Sequence, residues 1–133
     1  MSTFTITTTM SQPFEGAVPA VRQALSDQGF GVLTEIDLAL ALKEKLGVGI
    51  EPQVILGVCR PPLAYEAIQA DPSIAAVLPC NVVVRAKDDT TTVVEAFDPN
   101  AMVGLSDNAA LATIAADAKA RLEAALAALN PTT

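Results

Sequence analysis

The chain has no histidine and no tryptophan, and four phenylalanines and one tyrosine are its only aromatic residues. Without an imidazole there is no nucleophile–histidine pair, and the commonest neutral metal ligand is missing as well. With so few aromatic rings the chain offers no platform on which nucleic-acid bases could stack. Basic side chains are equally scarce: eight Lys and Arg stand against fifteen Asp and Glu, for a formal charge of −7. A groove that neutralises phosphates needs the opposite balance, so DNA, RNA and anionic membrane surfaces are excluded as expected partners. There is no glycine-rich phosphate loop. No apolar run is long enough to span a bilayer, and the N-terminal residues lack the basic, apolar pattern of a secretory leader, so a cytoplasmic location is expected. The two cysteines would rest there as thiols rather than as a structural disulfide.

What remains is a chain of 133 residues, 51% of them apolar. That is enough to bury a core in one domain spanning residues 1–133 without metals or disulfides. Thr3 to Met10 alternates apolar and threonine side chains, placing Phe4, Ile6 and Met10 on one face of a strand. An amphipathic helix occupies much of Gln12 to Gln28, beginning near Val18 or kinked at Pro19, and Gly29 stops it. Phe30 to Leu38 reads as a second strand, and Asp37 caps a short helix that ends at Gly47. Gln53 to Cys59 is apolar on both faces and is therefore central. Pro61-Pro62 opens a helix, Asp71-Pro72 another turn or two through Leu78. Asn81 to Lys87 and Thr91 to Phe97 form a hairpin around Asp88-Asp89-Thr90. After a loop from Asp98 to Asp107, an alanine-rich helix capped by Asp107 carries Leu111, Ile114, Ala118, Leu122, Ala125 and Leu129 as its apolar stripe. The chain is expected to fray after Asn130-Pro131.

This order predicts an α+β two-layer sandwich, a mainly antiparallel five-stranded sheet with its long helices on one face. The segments GFGVLTEIDLALALKEKLG, GVCRPPLAYEAI, LPCNVVV and the step from Asp98-Pro99 to Met102 resemble the bacterial and archaeal family called domain of unknown function 302. The resemblance runs from Phe4 to about Leu129. It implies a TATA-box-binding-protein-like arrangement in fold only, and a homodimeric protein of a family with no agreed activity. Members of that family often carry asparagine after the first cysteine, where this chain has Arg60.

If the last three strands run as an antiparallel meander, Cys59-Arg60, Cys80-Asn81 and Asp98 to Met102 meet at one end of the sheet. Parallel third and fourth strands would instead hold Cys59 and Cys80 at opposite ends. The meander supports a thiol-centred soft-metal or redox site in which Cys59, Cys80 and Met102 suit Cu(I), with zinc needing a fourth ligand such as Asp98. Alternatively, Arg60, Asn81 and Asp98 orient an organic ligand at the sheet edge. A plainer account makes the cysteines small buried apolar side chains and the polar residues loop punctuation. Glu35, Asp37, Lys43 and Glu44 read as a solvated face and a helix cap. A third possibility needs no site at all: a homodimer that covers the second face of the sheet. The expectation overall is a non-enzymatic or weakly characterised binding protein, with a thiol-centred metal or redox role first and an organic-ligand pocket second.

Overall fold

The computed structural model describes residues 3–130; the fraying expected after Asn130-Pro131 lies outside them. The elements are β1 (Thr5–Met10), α1 (Phe14–Asp27), β2 (Gly31–Asp37), α2 (Leu38–Leu46), β3 (Gln53–Cys59), α3 (Pro61–Ala70), β4 (Cys80–Ala86), β5 (Thr92–Phe97) and α4 (Ala110–Ala128). Two 3₁₀ segments, Pro72–Val77 and Pro99–Leu105, complete the connections.

The strands form one antiparallel sheet in the order β1-β5-β4-β3-β2. The fold is thus the α+β open sheet that the pattern predicts. In β3 the side chains of Val54, Leu56 and Val58 alternate onto the face covered by helices, in register with Val84, Val82 and Cys80 of β4. Against them α1 presents Ala17, Val21, Ala24 and Leu25, and α4 presents Leu122, Ala125 and Leu126. Leu25, Leu56, Val58, Val82, Val84 and Leu122 are wholly buried. At roughly 1.5–3 kcal/mol for each large apolar side chain removed from water, this layer is the main source of stability.

Helix α1 runs through Pro19, which lacks the N–H that would have bonded back toward Glu15. The helix therefore starts at Phe14 and not near Val18. Gly29, at φ 84°, reverses the chain so that Phe30 N–H returns to the Leu25 carbonyl at 3.0 Å. Asp37 caps α2 by accepting from Leu40 N–H at 2.9 Å, and Gly47 at φ 70° ends it, as expected.

Two local expectations are corrected. Phe4 does not share the face of Ile6 and Met10: β1 begins at Thr5, and Phe4 is 56% exposed beside Phe97 on the other side of the sheet. Asp107 does not cap α4 either: the cap position falls on Ala109, which makes no side-chain cap, and Asn108 just before it accepts from Ala110 N–H at 2.9 Å. Asn108 is also held by its amide, which donates to the Ala70 carbonyl at 2.7 Å.

Candidate functional site

The antiparallel β3–β4–β5 meander sets the C-terminal end of β3 beside the start of β4, with Val58 opposite Cys80. Between this end of the sheet and helices α3 and α4 lies a cavity of about 50 Å³. It falls at a seam. Phe30, Val58 and Cys80 come to it from the main core, while Ala67, Ile74 and Leu111 come from a second, smaller cluster built by α3, the first 3₁₀ segment and the start of α4. Facing helices line it with Ala64 and Ala67 from α3 and Ala115 and Ala118 from α4. Methyl side chains at those positions are too short to close the gap, which is unusual in an interior packed as densely as a molecular crystal.

Cys59, Arg60, Cys80 and Met102 all line this cavity. Both cysteines are free; Cys80 is buried and Cys59 half-buried. Burial pushes the Cys80 thiol above its ordinary value, and the neighbouring Cys59 pushes it further in the same direction. Cys80 is therefore held as the neutral thiol at neutral pH.

The organic-ligand trio is not brought together. Asn81 lies on the opposite face of the sheet, in an open groove with Phe4, Val83 and Phe97. Asp98 already has partners for both carboxylate oxygens: Oδ1 accepts from Asn100 N–H at 2.9 Å and Oδ2 from Lys119 Nζ at 3.0 Å. That bond to Asp98 in turn raises the Lys119 ammonium above its ordinary value. Of the three, only Arg60 reaches the cavity.

Asp98 instead fastens a wall. The 3₁₀ segment that begins after it supplies Pro99, Met102 and Val103 to the cavity lining. Its first end is tied to α4 through Lys119, and beyond its last residue Ser106 Oγ donates to Asp71 Oδ2 at 2.6 Å. This hydrogen bond is the main reason the Asp71 carboxyl lies below its ordinary value, with a second from Ser73 N–H. The polar cluster on β2 is similarly occupied: Glu35 pairs with Arg22 of α1, and Asp37 caps α2.

Arg60 differs from all of these. It is the residue before α3 and makes no side-chain cap. Its Nε is buried and has no hydrogen-bond partner, and among the described residues no ion pair engages its guanidinium. The stem crosses Gly29 so closely that a Cβ there would stand 3.0 Å from Nε. The glycine thus serves two needs, a left-handed turn and passage for the arginine.

The family model for "Domain of unknown function DUF302" matches residues 6–129. The chain belongs to the DUF302 family. A solved structure similar to it is that of an uncharacterized conserved DUF302 protein from Bacillus stearothermophilus, at 32% identity and a TM-score of 0.84, covering 94% of this chain and 97% of that one. No curated protein matches the chain. Membership of DUF302 accounts for the fold and carries no activity with it. Among the described residues no helix is long and apolar enough to cross a membrane, and no three or more Cys, Asp or Glu gather as a metal cluster.

The alanines of the seam were not among the residues the sequence singled out as a site. Their signal is faint: in α4 the positions Leu111, Ala115, Ala118 and Leu122 continue one apolar face, yet the middle two are small. Alanine is also the best helix former, so composition alone reads them as propensity.

Proposed function

We propose that this DUF302 chain is a non-enzymatic binding protein that takes a small, mainly apolar molecule into the cavity between β3, β4, α3 and α4. The observation that carries this reading is the alanine-lined space left open at the seam of two otherwise packed clusters. A natural core closes such a gap at low cost, since filling a void stabilises. The open groove on the other face is a weaker candidate, because its carboxylate, Glu95, is already held by Thr5, Thr7 and Arg85. The test is an NMR titration with 1-butanol, followed at the methyl groups of Ala67, Ala115 and Ala118. Saturable shifts at these methyls that vanish in Ala115→Val support the reading. Shifts that are absent, or that survive the cavity-filling substitution, overturn it.

A second reading rests on the sulfur atoms that reach the same cavity wall. Cys59, Cys80 and Met102 are the soft ligand set that Cu(I) prefers, whereas zinc would need a fourth ligand and Asp98 is not among the residues lining the cavity. Reduced protein titrated with Cu(I) is expected to bind one ion per chain on this reading, with Cys59→Ser and Cys80→Ser each abolishing it. Binding that persists in both variants would remove the sulfur site.

A further inference from the structure

We infer that the ligand of this cavity is an aliphatic monoanion with a short apolar tail, a small carboxylate for which Arg60 is the anchor. The inference rests on the binding reading above and adds to it the chemical class of the ligand. Its starting point is a cost. A guanidinium donor that is buried without a partner forfeits the hydrogen bond it made to water, a penalty that folded proteins rarely leave standing. Arg60 Nε is in that state, and Arg60 is one of the residues that line an almost wholly apolar cavity.

The geometry of arginine says what would relieve it. Nε–H and the neighbouring Nη–H lie side by side in the plane of the guanidinium, and this edge matches the two oxygens of a carboxylate in parallel hydrogen bonds. No internal acid competes for it: among the described residues no carboxylate pairs with Arg60, and Asp98 and Asp71 are taken by Lys119 and by Ser106 with Ser73 N–H. The start of α3 adds to the same preference, since the positive end of its helix dipole lies at Arg60. Pro61 and Pro62 have no N–H to offer, which leaves the guanidinium as the principal donor there.

Cavity size sets the tail. A dry cavity of about 150 Å³ admits benzene, and the space here is about 50 Å³. That is room for two or three carbons and not for a ring.

The experiment compares butyrate with its neutral analogue 1-butanol by the same methyl-detected titration, in the wild-type protein, Arg60→Gln and Arg60→Lys. With so few ligand atoms, dissociation constants of roughly millimolar are expected, well suited to NMR. Butyrate is expected to bind about tenfold more tightly than butanol to the wild type, in keeping with a charged hydrogen-bonded pair. The preference should disappear in Arg60→Gln, while butanol binding remains and shows the cavity intact. Arg60→Lys should retain only part of it, because an ammonium keeps the charge and loses the fork. Equal binding of butyrate and butanol by the wild type overturns the anion and leaves the cavity reading in place. A butyrate preference that persists in Arg60→Gln overturns Arg60 as the anchor. Failure of both probes to shift the cavity methyls overturns the binding reading itself.

Discussion

Gly57 and Gly29 show how much a missing side chain can position. Gly57 stands in β3, an interior strand next to the edge strand β2, opposite Thr34 of β2 and Asn81 of β4, where the β2 register slips by one residue at Leu33. A Cβ at Gly57 would collide with the Thr34 hydroxyl and lie 2.8 Å from Cγ of Pro79. The hydroxyl can rotate away, but the proline ring is fixed to the chain just before Cys80. Gly57→Ala is therefore expected to destabilise by about 1–3 kcal/mol, the usual cost of overpacking, seen as a lower urea midpoint with an unchanged slope. An unchanged midpoint would show that the turn before β4 has room to yield. A glycine inside an apolar strand already suggests a close approach from sequence; which atoms approach is a matter of tertiary packing.

Among the elements, β1, β4 and β5 are joined on the open face by one carboxylate. Glu95 accepts from the Thr5 and Thr7 hydroxyls of β1 and from Arg85 of β4, the last at 2.7 Å. The Thr5 bond foremost, then the Arg85 bond, hold Glu95 below its ordinary value of 4.5. A carboxyl lowered by folding adds stability that is present above the unfolded value and is lost as pH falls through the folded one. Glu95→Gln is thus expected to be less stable than the wild type at neutral pH, with the difference shrinking as pH drops below about 4.5. Urea unfolding across that range checks it; a difference that stays constant with pH would mean the glutamine costs packing and not charge. The threonines themselves were legible as one face of a strand. That they bind a glutamate ninety residues away was not, because hydrogen bonding across strands depends on which strands become neighbours.

For the whole molecule the deciding fact is the sheet order, in which the first strand pairs with the last and the second lies on the opposite edge. That order makes β3–β4–β5 a meander and gathers Cys59, Arg60, Cys80 and Met102 around one cavity. Asn81 follows Cys80 within β4, and with successive residues of that strand pointing to opposite faces it falls on the open face with Val83 and Phe97. The two hydrophobic clusters meet at the same place, and their imperfect join is the cavity.

By itself the sequence determined the family, the α+β class, the boundaries of β3 and the caps at Asp37 and Gly47, and it excluded imidazole chemistry. The family rests on the resemblance of its motifs; the other properties follow from composition, period and nearest neighbours along the chain, which any conformation must respect. Tertiary structure alone decided that Asp98 holds a wall in place, that alanines on two separate helices leave a space, and that the Nε of one arginine lining it is buried without a partner. The reason is that vacancy and satisfaction are properties of groups distant in sequence: whether a donor is paired, or a gap filled, is settled only when the other walls arrive.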